Sequence, residues 1–264
     1  MSDRLRAELE RIVESGFAPP AGRSASAVAL ETLGVLDSPD PVLRDELGYR
    51  VLAEWITDPD GPLAVREVRE LLRRAKGDAM LLHGLGERGT DSVFGRAFSL
   101  LVIAAALHRD GLDPFLGEEE WRHTLECVGS YCEGERDLRA HVPEKGWAHA
   151  VAHVADVVEE LVRGRHARRA DSERLLECLS LLLEGSTEAF QGEEDERLSI
   201  ALATMVASGH LTVAALGTWF AEPSSETMRV NLKLTARSLY FRLRASAVAD
   251  AEMLVPVQAA LTRF

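Results

Sequence analysis

Almost every segment of the chain places its apolar residues three or four positions apart, and almost none alternates. That period belongs to helices with one buried face, and its near-universal use predicts an all-α protein. The punctuation agrees. Gly16 with Pro19 and Pro20 closes a first helix over 3–14, and Ser24 opens a second that runs to about Leu36. Asp40 caps Pro41 at the start of a third that ends at Trp55 or Ile56. Further helices are expected over 63–76, 78–86, from Thr90 or Asp91 to His108, and 118–131. After a polar stretch at 133–144 the pattern predicts helices from 145, then 171–184, 192–208, 211–220, 226–244 and 249–262. Short connections between successive helices suit antiparallel neighbours. The expected architecture is a single domain, 1–264, in a HEAT-like or α-solenoid-like right-handed array of antiparallel helix pairs. It has N-terminal helices at 1–40, a core at 41–245 and a C-terminal helix at 246–264. No fixed repeat period is present in the residues themselves.

Composition narrows the function classes. Thirty basic against 43 acidic residues give a net charge of −13. That balance opposes a nonspecific grip on nucleic acid or an anionic membrane, and the one basic turn at 163–169 reads as a solvated loop. The N-terminus has the pattern of an amphipathic helix rather than a signal peptide. The longest apolar run, Phe98 to Leu107, is shorter than the eighteen or so residues that span a bilayer and reads as a core helix. Cys127, Cys132 and Cys178 have no paired spacing, and an odd number of thiols fits a cytoplasmic location.

The segment Lys145–Glu160 concentrates the chemistry. Read as a helix it is apolar nearly all round, except for Lys145, His149, His153, Asp156 and Glu160. Those five fall within roughly 80° of the circumference, and ionisable groups on a buried helix need partners. His149 and His153, at i and i+4, are candidate ligands for a divalent metal, and Asp156 could support the second imidazole. The zinc-protease pattern is missing, because Ala150, Val151 and Ala152 occupy the positions between the histidines. His149 and Asp156 also lie about 10 Å apart along a helix axis. A metal would need carboxylates such as Glu133 or Asp137. The plainer alternative is a hydrogen-bond network between helices.

Several segments together resemble one family. They are Asp91-Ser-Val-Phe-Gly-Arg-Ala-Phe-Ser, Asp113-Pro-Phe-Leu, Asp137-Leu-Arg, Val142-Pro-Glu-Lys-Gly-Trp-Ala-His-Ala-Val-Ala-His-Val-Ala-Asp, Glu194-Asp-Glu-Arg-Leu and Asn231 through Leu243. In this order, from about Asp45 to Leu243, they resemble the bacterial family DUF2785. The resemblance implies a helical, cytoplasmic bacterial protein and no particular activity. Family members often carry Arg-Gly where this chain has Arg139-Ala140, and Arg-Ser where it has Arg96-Ala97.

The candidate catalytic residues are therefore His149, His153 and Asp156. The candidate binding residues are Asp91, Arg96, Glu133, Asp137, Arg139, Lys145 and Trp147. Arg96 sits among core residues, and Asp137 or Asp156 is its expected partner. No P-loop, Gly-x-Ser-x-Gly or dinucleotide-binding fingerprint is present. The first functional reading is a helical scaffold that binds a protein or peptide on a concave face. The alternative is a small-molecule-binding protein or enzyme with its pocket at His149, His153 and Asp156, with or without a divalent metal. The sequence implies no cofactor and no oligomeric state.

Overall fold

The computed structural model describes residues 2–221, 223–246 and 251–264. Among them are twelve α-helices and two strands of two residues each. The chain divides into two compact units, residues 1–124 with 141–148, and residues 125–140 with 149–264.

The first unit is built on α5 (Ser92–Leu112), which is buried on nearly every side. Around it come α1 (Ser2–Glu14), α2 (Ala25–Leu33), α3 (Arg50–Thr57), α4 (Val65–Ala75) and the first part of α6 (Glu118–Gly134). Helices α3 and α4 pack directly on α5. By length and composition α5 could cross a membrane, being more apolar over eighteen residues than the run Phe98 to Leu107 suggests. Of that stretch 83% is buried within the protein, as in a core helix. Ser24 caps α2 by accepting from the Ala27 N–H. The carboxylate of Asp40 accepts from the N–H groups of Val42 and Leu43, as its position before Pro41 predicts. From there a π-helix over Val42–Tyr49 runs unbroken into α3. The segment 78–86, expected to be helical, is instead a chain of i-to-i+3 turns. Gly84 and Gly86, both at positive φ, break it before a helical turn can propagate.

A second difference touches the site. Residues 141–147 form a hairpin in which β1 (His141–Val142) pairs antiparallel with β2 (Gly146–Trp147). The expected helix therefore starts five residues late. Glu144 and Gly146 are left-handed, and the carbonyls of Lys145 and Trp147 accept from Arg44 instead of from amides four residues on.

The second unit holds the rest of α6, then α7 (Ala150–Arg163), α8 (Arg169–Gly185), α9 (Glu194–Ala207), α10 (Val213–Trp219), α11 (Glu226–Ala245) and α12 (Ala251–Arg263). The expected start of the last helix, at 249, lies outside the described residues. Helix α9 packs most extensively on α7 and α11. Asp195 meets Ser238, and four residues later Ser199 meets Arg242, so α9 and α11 run in the same direction. His149 and Asp156 likewise meet Glu194 and Arg197, which orients α7 the same way.

Candidate functional site

The five-residue polar line splits between the units. Lys145 belongs to the first, where its ammonium donates to both carboxylate oxygens of Asp91 at 2.7 and 2.8 Å. Asp91 precedes α5, but its side chain makes no cap bond and serves Lys145 instead. The hairpin around Lys145 is organised by Arg44, a residue whose importance the sequence does not announce. Arg44 is fully buried, with its guanidinium 4.0 Å from the Phe94 ring centre and 5.0 Å from that of Phe98. It donates to the carbonyls of Ser38, Lys145 and Trp147 at 2.7, 2.8 and 3.1 Å. Burial lowers its pKa, while Asp45, Asp40 and Asp91 pull it back up.

Gly146 explains the Lys-Gly-Trp segment. Its φ is +79°, and a β-carbon there would stand 3.0 Å from Cβ of Pro41 and 3.4 Å from Nη2 of Arg44. Only glycine satisfies both the left-handed backbone and the close approach. Trp147 stays partly exposed, edge-on to the His141 ring at 4.9 Å between centres. Arg96, also fully buried, donates within its unit to the carbonyls of His83 and Gly84 and to the Ser92 hydroxyl. It thereby fastens the turns at 78–86 to the start of α5.

In the second unit His149 is the residue before α7, with φ 56° and ψ 34°, a left-handed conformation that few residues other than glycine adopt and that histidine adopts more readily than most. Its N–H donates to the Ala140 carbonyl, and its carbonyl accepts from the His153 N–H. The two imidazoles meet edge to face with 5.9 Å between centres. Nε2 of His149 is 4.0 Å from Oε1 of Glu194, the first residue of α9. Glu194 is buried. Its Oε2 accepts from the Gly192 N–H, whereas Oε1 makes no hydrogen bond among the described residues. Asp156 accepts from Arg197 at 3.1 Å; burial pushes its carboxyl up to about 6, against the pull of Arg197. Burial raises Glu159 on the same helix as well, against the pull of Arg163.

Asp137 is buried and takes Arg139 in a two-point contact of 2.7 and 2.6 Å. One carboxylate oxygen of Glu135 accepts from the N–H groups of Arg136 and Asp137, so this loop is internally tied. Glu133 contributes its carbonyl to Arg136. Among the described residues no group of three or more His, Cys, Asp or Glu side chains is placed to hold a metal ion.

The residues that organise the second unit are four in a row at the start of α9. Glu194 faces His149, Asp195 accepts from Ser238, Glu196 accepts from Arg242, and Arg197 donates to Asp156. Two ties go to α7 or its cap and two to α11. Buried Asn231 adds another, accepting from the Phe190 N–H and donating to the Glu188 carbonyl in the loop before α9. The segments that carry this bracing, and the Lys-Gly-Trp hairpin, all fall within residues 81–243, which match the family model described as a protein of unknown function, DUF2785. The chain belongs to the DUF2785 family. No curated protein and no solved structure matches it. Arg44 lies outside the part of this DUF2785 protein that the family model matches, although it holds the Lys-Gly-Trp hairpin within it.

Proposed function

We propose that this DUF2785 protein is a helical scaffold that binds a protein or peptide partner on the face carried by α7, α9 and α11. The observation behind this reading is the four-residue brace at Glu194–Arg197, which links three helices running in the same direction. A row of like-directed helices is how an α-solenoid of HEAT type presents a concave binding surface, and that right-handed arrangement is part of the proposal. Phe241 on α11 is 70% exposed beside Arg242, and such an aromatic suits an anchoring contact. A cytoplasmic location completes the reading, supported by three free thiols. A photo-crosslinking amino acid placed at position 241 in living cells should capture one discrete protein. Arg197→Glu with Arg242→Glu should abolish the adduct, and an equal yield from that variant would reject the reading.

A second reading rests on Glu194. Its buried Oε1, 4.0 Å from Nε2 of the His149 imidazole, is a geometry that acid–base chemistry uses, with Asp156 a further proton acceptor. If His149→Ala and His153→Ala abolish turnover or binding of a small molecule while the fold persists, this reading replaces the first. Its metal-dependent form requires close to one equivalent of a transition metal in protein purified without a histidine tag.

A further inference from the structure

The first unit contains a cleft of about 410 Å³ bounded by α2, the end of α4, the turns at 78–86 and the first residues of α5. Its lining is mainly apolar, with Leu30, Leu33 and Met80 contributing side chains. That volume suits a small organic molecule. Two contacts shape its walls in advance. Gly95 is buried in α5, and a β-carbon there would stand 3.1 Å from Cβ of Asp37, so glycine lets Asp37 lie close against the helix. Elsewhere on the lining, buried Arg96 donates to the carbonyls of His83 and Gly84 at 3.0 Å and to Oγ of Ser92 at 2.7 Å. It thereby fixes the turn that carries His83, and a wall already fixed costs a ligand little ordering.

The titratable residues of the lining are Asp37, Asp78, His83, Arg73 and Arg74. Both arginines are engaged. Arg73 through Nε and Nη2, and Arg74 through Nε, donate to the Glu70 carboxylate, each at 2.7 Å. Asp37 and Asp78 are exposed, and among the described residues their carboxylates make no ion pair or hydrogen bond. The fixed charge left for a ligand is therefore negative, within a chain whose net charge of −13 already draws cations. No group of three or more His, Cys, Asp or Glu side chains among the described residues is placed to hold a metal ion, and the apolar lining favours a carbon body. We propose that this cleft binds a small organic cation, its apolar body against Leu30, Leu33 and Met80 and its protonated amine at the Asp37 and Asp78 carboxylates. Burial of the apolar body supplies most of the affinity, and the exposed carboxylates supply the preference for positive charge. This site uses none of the residues on which the two functional readings rest.

Three probes that share an indole body test it: tryptamine, the neutral tryptophol and the anionic indole-3-propionate. Each is titrated into the full chain and followed by ¹H–¹⁵N NMR. Tryptamine should bind about fivefold tighter than tryptophol, and indole-3-propionate more weakly than either. The shifts should centre on the amides of Gly34, Gly77, Met80 and Gly95. Added salt should narrow the preference, and Asp37→Asn with Asp78→Asn should erase it while tryptophol binds as before. Comparing the probes on the unsubstituted protein needs no variant to fold. Tryptophol binding as tightly as tryptamine, shifts centred outside the cleft, a preference that survives in the double variant, or no shift at millimolar tryptamine would each overturn the proposal.

Discussion

Replacing Arg44 with methionine tests whether one buried cation holds the Lys-Gly-Trp hairpin. Methionine fills much of the same volume but donates nothing, so three carbonyls lose a charged donor. At about 1.5–3 kcal/mol for each such bond the gross loss is roughly 5–9 kcal/mol. Against it stands the desolvation of a guanidinium whose Nε makes no hydrogen bond among the described residues, and removing that charge returns several kcal/mol. The stacking on Phe94 and Phe98 survives in part, because methionine also packs well on rings. The net expectation is a destabilisation of about 3–4 kcal/mol. Lysine should rescue little, since it lacks the planar fork that reaches three acceptors and stacks between rings. Urea unfolding followed by circular dichroism measures the loss, and hydrogen exchange at residues 141–147 localises it. An Arg44→Met protein within about 1 kcal/mol of the parent, with hairpin amides still protected, would refute the reasoning.

Three further outcomes are expected. Gly146→Ala should cost about 2–4 kcal/mol, from the left-handed backbone and the contacts with Pro41 and Arg44, as measured by the denaturation midpoint. Asn231→Ala should cost about 1–2 kcal/mol and raise hydrogen exchange in the loop 186–193, because the half-buried Phe190 N–H and the Glu188 carbonyl lose the buried side chain that ties them down. Asp156 has a folded pKa of about 6, above its ordinary value of 3.8, so the folded state binds the extra proton. Its stabilising contribution is full below about 3.8 and is lost as pH rises through 6, an upper bound of about 3 kcal/mol. Asp156→Asn should flatten stability between pH 4 and 6.5, and a carboxyl titration by NMR with its midpoint below 4.5 would contradict the assignment.

The helical class was legible because the 3.6-residue period survives in nearly every segment, and caps such as Ser24 and Asp40 are local chemistry. The hairpin was not, because Lys145 and Trp147 follow a helical pattern whose carbonyls are claimed by Arg44, about a hundred residues away. Periodicity carries no record of so distant a donor. His149 and Asp156 were visible as polar residues on an apolar frame, while Glu194 was visible only as the first residue of a family segment, with nothing in the spacing to say that it faces His149.

The brace at the start of α9 also sets where this fold can tolerate insertions. Successive helical residues point about 100° apart, so Glu194, Asp195, Glu196 and Arg197 reach in different directions only while their phase is fixed. One residue inserted between Arg197 and Leu198 would turn all four by about 100° against the buried residues that follow, breaking every tie to α7 and α11 together. The same residue added between Ser186 and Gln191 would lengthen a loop that Asn231 holds at Glu188 and Phe190. The chain is elastic in length before Glu193 and fixed in phase after it.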